Sequence, residues 1–240
     1  MPPLSSSKRE AVAALKRGEA VIFPTETAYG LGVSVEAAAS PEALYDLKER
    51  DRGKPVSWLV GGVDDLDRYG AHVPDLARRL ARAYWPGPLT LIAEAGDAVP
   101  AAFRSAAGSI GLRMPDNDTA LELIEAVGCP LATTSANISG LQAPGAFDAL
   151  DPRLAARVGV VVPDDTDDDK SGVASTVLDC TVNPPRILRE GAVTEADIRA
   201  ARQPLGRRRG GRRALRIRPP CPHPPLFFGT DSPLCTIFGA

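Results

Sequence analysis

Four short polar segments stand out along the chain, and each lies at the end of a predicted strand. They are residues 24–32, 47–55, 111–115 and 132–140. These segments combine glycines and hydroxyl groups with lysine and arginine side chains. Backbone N–H groups and cations of this kind bind phosphate and carboxylate oxygens, because they offer hydrogen bonds and positive charge to an anion. Each segment also has a purely structural interpretation, so none of them is decisive alone.

The first two segments leave alternatives open. Residues 24–32 follow a short buried strand and form either a ligand-binding loop or a structural turn. Residues 47–55 lie at a predicted helix end and contain four cations: Lys48, Arg50, Arg52 and Lys54. Such a run forms either a solvated helix C-terminus, where cations interact favourably with the helix dipole, or a binding site for a polyphosphate. Composition alone favours the solvated helix end.

The other two segments are equally ambiguous. Arg113 lies between an apolar strand and Pro115, and a buried guanidinium needs an anionic partner. That partner is either a structural carboxylate or the carboxylate of a substrate. Residues 132–140 are dense in hydroxyl and amide groups and form either a helix N-cap or a site for an amino acid or nucleotide.

Several common enzyme motifs are missing from the sequence. There is no GxxxxGK[ST] phosphate loop, since Gly53 and Lys54 are followed by Pro55. Gly30 and Gly32 resemble the start of a dinucleotide loop, but Val35 takes the place of the third glycine. Neither GxSxG nor HExxH occurs, which excludes two common hydrolase classes.

The charge distribution and the spacing of cysteines and histidines argue against two further kinds of site. Residues 1–205 hold 21 basic and 29 acidic side chains, whereas residues 206–218 hold seven arginines and no acid. An acidic body argues against a broad nucleic-acid-binding face. We expect no structural metal, because the cysteines form no CxxC pair and the two histidines have no nearby ligand set. The cysteines and histidines are Cys129, Cys180, Cys221, Cys235, His72 and His223.

One acidic run and the chain's hydropathy complete this reading. Asp164, Asp165 and residues 167–169 are interpreted as a solvated loop rather than a metal site. No apolar run is long enough to span a membrane, and the N-terminus lacks the apolar stretch of a secretory signal. We therefore expect a cytoplasmic protein without membrane contact.

Apolar patterns predict the elements that must hold the four segments. A first helix begins near Ser7, where Ser7 and Glu10 have capping-box spacing, and ends at Gly18. Further helices are predicted at 41–47, 75–83, 119–127 and 194–201, and strands at 20–23, 56–60, 89–93, 110–113, near 131, 158–162, 176–179 and 186–188. Because strands and helices do not alternate strictly, we expect an α/β fold with a twisted, mixed, open sheet flanked by helices.

The predicted domain covers residues 1–202. Residues 203–240 are rich in arginine, glycine and proline, a composition that cannot bury a helix face. We expect them to form a flexible tail.

Taken in order, the segments resemble the YrdC family over roughly residues 8–200. The matching motifs are residues 23–32 (FPTETAYGLG), 48–50 (KER), 85–90 (WPGPLT), 112–115 (LRMP), 134–140 (TSANISG), 174–179 (ASTVLD) and 187–191 (ILREG). The resemblance implies a single YrdC-like domain with a positively lined cavity. It also implies an L-threonylcarbamoyladenylate synthase, a nucleotidyltransferase that forms threonylcarbamoyl-AMP and pyrophosphate from L-threonine, bicarbonate and ATP. A separate transferase complex would then pass the product to tRNA.

The resemblance also assigns site residues. L-Threonine would be held by Thr27, Arg113, Ser135 and Ser175, with Arg113 on its carboxylate. ATP would be held by Lys48, Arg50, Lys54, Ser109, Asn137 and Arg189. Lys48, Arg50 and Arg113 would supply the catalytic charge neutralisation, because attack on a phosphate requires mainly positioning and charge compensation. Mg²⁺ would enter with ATP, and no metal site of the protein's own is implied.

Two other functions compete with the synthase. The same fold could bind tRNA or double-stranded RNA without synthase activity, since family members are linked to RNA binding and residues 206–218 are arginine-rich. A carbamoyl-transfer module of the hydrogenase-maturation type is the third possibility. Those proteins are much longer and carry zinc-finger cysteines, which argues against it.

Overall fold

The computed structural model describes residues 4–164 and 170–202. The helices in these ranges are α1 Ser6–Lys16, α2 Glu42–Lys48, α3 Asp65–Tyr69, α4 Asp75–Tyr84, α5 Asp118–Val127, α6 Pro152–Ala155 and α7 Glu195–Arg202, with 3₁₀ turns at Ala101–Phe103 and Phe147–Ala149. The strands are β1 Val21–Phe23, β2 Gly30–Ser34, β3 Ser57–Leu59, β4 Gly70–Ala71, β5 Leu89–Ala95, β6 Ser109–Arg113, β7 Leu131–Ser135, β8 Val160–Val161, β9 Thr176–Asp179 and β10 Arg186–Arg189.

The described strands form one mixed sheet in the order β10-β9-β5-β6-β3-β7-β2-β1-β8, and β4 pairs with β5 outside this path. Three neighbouring pairs are parallel, namely β1 with β8, β3 with β6, and β5 with β9. The other pairs are antiparallel. The predicted α/β class with a mixed sheet is confirmed.

The two faces of the central strands differ in chemistry, because successive side chains of a strand point to opposite faces. One face buries the main core, which includes Leu31, Trp58, Leu91 and Leu112. The register of the strands brings small and hydroxyl residues together on the other face: Gly30, Gly32, Ser57, Thr90, Ser109, Gly111, Thr133 and Ser135. Arg113 shares this second face, two residues beyond Gly111.

A second apolar cluster covers one end of the sheet's hydroxyl-bearing face. It includes Leu15 of α1, Leu123 of α5 and Phe23 of β1, all buried. Ser5 is the N-cap of helix α1, and its hydroxyl accepts a hydrogen bond from the Lys8 N–H. Side-chain caps fix such helix starts by satisfying otherwise unpaired N–H groups.

Several local predictions are corrected. The cap of α1 is Ser5 rather than Ser7. Residues 30–34 are a strand rather than a loop, because this segment pairs with both β1 and β7. Residues 132–135 complete β7, and the chain turns after Ser135 without starting a helix. The strand predicted over 158–162 is shorter and spans only Val160–Val161.

Candidate functional site

Lys48 ends helix α2 with a buried side chain, and the residue is only 1% exposed. Its ammonium group donates to the carbonyl oxygens of Ser135 and Asn137, the latter at 2.6 Å, and to Oδ1 of Asn137 at 3.1 Å. Burial, and after it the neighbouring charge of Arg50, lower the pKa of Lys48 to about 8. The interpretation as a solvated helix end is therefore wrong for Lys48, which joins the second and fourth segments.

Arg50 lies two residues after Lys48 and is half-buried. Its Nη1 donates to Thr134 Oγ1 at 3.1 Å and its Nη2 to the Pro55 carbonyl at 3.3 Å. Its Nε is buried and has no hydrogen-bond acceptor among the described residues. Burial lowers the pKa of Arg50 from its ordinary value. A guanidinium with a spare buried donor suits an incoming anion.

Arg113 is 8% exposed and lies at the end of β6. Its Nη2 is 2.7 Å from Glu26 Oε1 and donates to Thr27 Oγ1 at 3.1 Å, while its Nε donates to the Gly87 carbonyl at 3.3 Å. In this structure the anion beside Arg113 is thus a carboxylate of the protein, supplied by the first segment. The first and third segments meet at this pair.

Arg189 comes from β10 at the edge of the sheet. Its guanidinium donates to the Ser175 carbonyl at 3.0 Å and to Ser175 Oγ at 2.9 Å, and Ser175 Oγ is 3.1 Å from Thr90 Oγ1. Burial and then the charges of Arg113 and Arg50 lower the pKa of Arg189. The positive charges of Arg113 and Arg50 therefore act unfavourably on Arg189, and a polyanion beside Arg189 would offset them.

Two strands of the sheet carry glycine where neighbouring side chains pack closely over the backbone. A Cβ on Gly32 would lie 2.9 Å from both the Phe23 ring and Thr133 Oγ1. A Cβ on Gly111 would lie 3.1 Å from Ser57 Oγ. The close contacts show that the glycines allow side chains on neighbouring strands to pack over the backbone.

Two of the predicted ATP-binding residues, Ser109 and Lys54, make no hydrogen bond to Lys48, Arg50, Arg113 or Arg189 among the described residues. Ser109 shares a strand face with Arg113, but its hydroxyl is 2.7 Å from Ser105 Oγ and its N–H donates to the same atom. The side chain of Lys54 is exposed. Among the remaining predicted residues, Lys48 contacts Ser135 and Asn137, Arg113 contacts Thr27, and Arg189 contacts Ser175. Arg50 contacts Thr134, the neighbour of Ser135.

Three residues, Glu26, Lys170 and Asp164, make contacts that the sequence does not predict. Glu26 lies inside the first segment, but only the fold reveals that it faces Arg113. Lys170 and Asp164 form a buried ion pair, and the Lys170 ammonium lies 4.7 Å from the centre of the Tyr29 ring. The solvated-loop interpretation is therefore wrong for Asp164. Residues 165–169 of that run lie outside the described residues.

Two cavities flank the described domain. One of about 450 Å³ borders Asn137 and is walled by Ile138, Leu141 and Leu150. The other, of about 330 Å³, lies around His72 and Asn183 and contacts none of the predicted site residues.

The described ranges lack both a cluster of metal ligands and a membrane-spanning helix. Residues 4–164 and 170–202 contain no group of three or more His, Cys, Asp or Glu side chains placed to hold a metal. Cys129 and Cys180 are free and buried there, and Cys221 and Cys235 lie outside the described residues. None of the described helices is both long and apolar enough to cross a membrane.

A family model named Sua5/YciO/YrdC and described as telomere recombination matches residues 13–191. The chain belongs to this family. A Mycobacterium leprae relative is 40% identical over 188 residues, which cover 78% of this chain and 84% of the relative. The threonylcarbamoyl-AMP synthase of Bacillus subtilis is 34% identical over 197 residues, covering 82% of this chain and 56% of that enzyme.

One solved member of the family contains a bound amino acid. The crystal structure of P. abyssi Sua5 complexed with L-threonine superposes with a TM-score of 0.72 at 31% identity, covering 81% of this chain and 56% of that one. The chain thus spans most of the length of its Mycobacterium leprae relative, but little more than half of the Bacillus and Pyrococcus proteins.

Proposed function

We propose that the chain is an L-threonylcarbamoyladenylate synthase. The observation that carries the proposal is the gathering of the buried Lys48 with Arg50, Arg113 and Arg189, where the charges of Arg50 and Arg113 act on Arg189 and that of Arg50 acts on Lys48. Such a group favours a ligand with several negative charges. The name of the Bacillus relative and the L-threonine in the Pyrococcus structure support a nucleotide and an amino acid as the two ligands.

In the proposed reaction the threonine amine is carboxylated by bicarbonate with loss of water. An oxygen of the resulting carbamate then attacks the α-phosphorus of ATP, a new P–O bond forms, and the bond to the β-phosphate breaks to release pyrophosphate. Lys48, Arg50 and Arg189 would neutralise charge on the phosphates, and Arg113 would bind the threonine carboxylate. Fixed cations act here because they need no rearrangement as charge develops.

The site residues divide between the two ligands in this proposal. Thr27, Arg113, Ser135 and Ser175 would surround the amino acid, and Asn137 would lie beside the phosphates. The 450 Å³ cavity next to Asn137 has space and apolar walls for the adenosine. ATP would enter as its magnesium complex, and Mg²⁺ would be carried by the phosphates.

The product, a reactive mixed anhydride, requires an acceptor, and we propose a tRNA-modifying transferase complex as the next enzyme. Direct RNA binding by the arginines of residues 206–218 is the alternative, and these arginines lie outside the described residues.

Pyrophosphate release from ATP tests the proposal. The protein is assayed with Mg²⁺ and bicarbonate in the presence of L-threonine, L-serine or no amino acid. Threonine-dependent release is expected, with a loss of at least about 100-fold in Arg113→Gln. The exposed Arg186 provides a matched control, and Arg186→Gln should keep the activity. Folded protein without threonine-dependent release would refute the synthase and favour RNA binding.

A further inference from the structure

Glu26 places a carboxylate directly beside the arginine proposed to bind the substrate carboxylate. Its Oε1 is 2.7 Å from Arg113 Nη2, and the two side chains are 19% and 10% exposed. The same Nη2 donates to Thr27 Oγ1 at 3.1 Å. One guanidinium edge is therefore shared between a protein carboxylate and a threonine hydroxyl.

The Glu26 carboxylate has unused capacity for hydrogen bonds. Both of its oxygens are buried, and neither has a hydrogen bond of acceptable geometry from any described residue, despite the close approach of Arg113. An ionised carboxylate can accept about four hydrogen bonds. Unused lone pairs on a buried carboxylate cost free energy, so a ligand that brings N–H donors to Glu26 would be favoured.

Two hydrogen bonds hold the main chain of the loop that carries Glu26. The Thr25 hydroxyl donates to the Ala28 carbonyl at 2.6 Å, and the Ser171 N–H donates to the Glu26 carbonyl at 3.0 Å. The main chain on both sides of the carboxylate is thus fixed, and the carboxylate is prearranged for a ligand.

The local charge favours a ligand that carries a positive group. Asp116 lies near enough for the Glu26 charge to raise its pKa, after the larger effect of burial. Arg113 and Glu26 cancel each other, so a second carboxylate on Arg113 would leave an excess negative charge. A zwitterionic amino acid adds no net charge, whereas a hydroxy acid adds one negative charge.

We propose that Glu26 accepts hydrogen bonds from the α-ammonium group of the amino acid whose carboxylate binds Arg113. Glu26 is then the residue that selects an amino acid over the corresponding hydroxy acid. This inference rests on the proposed function, since it takes L-threonine as the ligand. A purely structural Glu26, which only orients Arg113, would instead affect every carboxylate ligand equally.

Calorimetric affinities for two ligands separate these roles. L-Threonine is compared with the 2,3-dihydroxybutanoate of matching configuration, in which a hydroxyl group replaces the ammonium group. In Glu26→Gln, affinity for threonine should fall about 10- to 100-fold, as expected when a hydrogen bond to a charged group is lost. Affinity for the hydroxy acid should fall less than about threefold, because this ligand has no ammonium group that binds the Glu26 carboxylate.

Two further variants serve as controls. Glu26→Asp keeps the negative charge and should retain a preference for threonine over the hydroxy acid. Asp116→Asn removes a nearby carboxylate that is not proposed to touch the ligand, and it should change that preference less than about threefold. Thermal melting of all three variants shows whether loss of folding explains any result for Glu26→Gln.

The outcomes separate the inference from the function on which it rests. An equal fall for both ligands in folded Glu26→Gln would overturn the role of Glu26 and leave the synthase proposal standing. Wild-type protein that binds neither ligand would overturn both.

Discussion

The ammonium group of Lys48 lies 2.6 Å from the main-chain carbonyl oxygen of Asn137, although the two residues are 89 positions apart in the chain. A second hydrogen bond joins the same two segments, since the Ser139 N–H donates to the Lys48 carbonyl at 2.9 Å. Helix α2 is thereby fastened to the turn that follows β7. The oxygens that bind this buried cation are uncharged carbonyl, amide and hydroxyl oxygens, so an anionic ligand would stabilise its charged form.

Nucleotide binding should therefore be accompanied by proton uptake at alkaline pH. The pKa of Lys48 is about 8 in the ligand-free protein, so at pH 9 most Lys48 side chains are neutral. Phosphate groups nearby would raise that pKa towards its ordinary value of 10.5, and the lysine would gain a proton. Calorimetry of MgATP binding at pH 9 in buffers of different ionisation enthalpy should give uptake of about half a proton or more.

Lys48→Met provides the control for this measurement, because it keeps the aliphatic length without the titrating group. Any residual nucleotide binding by this variant should show no proton uptake at pH 9. At pH 6.5 Lys48 is already protonated in the ligand-free protein, so the wild type and the variant should differ little. Equal uptake by both proteins at pH 9 would contradict the assignment to Lys48.

The arginines should contribute more to nucleotide binding than to folding. In Arg189→Gln we expect MgATP affinity to fall about tenfold or more, because one charge-assisted phosphate contact is lost. Stability without ligand should change little, since the variant also removes repulsion from Arg113 and Arg50. Isothermal titration and urea denaturation measure the two effects.

The same strand supplies the control for Arg189. Arg186 is exposed and lies 3.6 Å from Asp179, so Arg186→Gln should leave MgATP affinity within about twofold of the wild type. Equal losses in the two variants would mean that general surface charge, rather than the position of Arg189, attracts the nucleotide.

The sequence predicts the frame of this site better than its contacts. Periodic apolar residues located α4, α5, β5 and β6 to within two residues, because these elements bury a regular face. The strand over Gly30–Ser34 was missed because its glycines suggest a loop. Its extended conformation comes from pairing with β7, which lies about 100 residues later in the chain.

Side-chain partners depend even more on distant parts of the chain. Composition favoured a solvated Lys48, and its burial is fixed by the turn around Asn137. The need of Arg113 for an anion followed from its surroundings, but the choice of Glu26 did not, since any carboxylate near the site would satisfy it. Residue type thus predicts which groups need partners, and the tertiary fold decides which partners they find.

The glycine at position 32 should be required by packing. In Gly32→Ala the new Cβ would lie 2.9 Å from atoms of Phe23 and Thr133, so we expect a loss of about 1–3 kcal/mol in the free energy of unfolding. Chemical denaturation measures this loss. Gly145→Ala is the control, because a Cβ there would meet no atom within 4 Å. If Gly32→Ala is as stable as this control, the sheet adjusts more readily than the close contacts indicate.

The buried pair of Asp164 and Lys170 should stabilise the loop that carries Tyr29 and Glu26. The two side chains are 8% and 4% exposed, and the Ser171 N–H donates to the Glu26 carbonyl. Lys170→Met would leave the Asp164 charge buried without this partner, so we expect a loss of about 3–5 kcal/mol in the free energy of unfolding.

Two comparisons identify the cause of that loss. Asp164→Leu combined with Lys170→Met should recover most of it, because removing both charges leaves no buried carboxylate that has lost Lys170. Arg199→Met breaks the exposed pair with Glu195 and should cost about 0.5 kcal/mol or less. If Lys170→Met costs no more than Arg199→Met, the pair does not stabilise the loop. A large loss that the double variant fails to recover would instead point to packing of the Lys170 side chain against the Tyr29 ring, since that contact is lost in both variants.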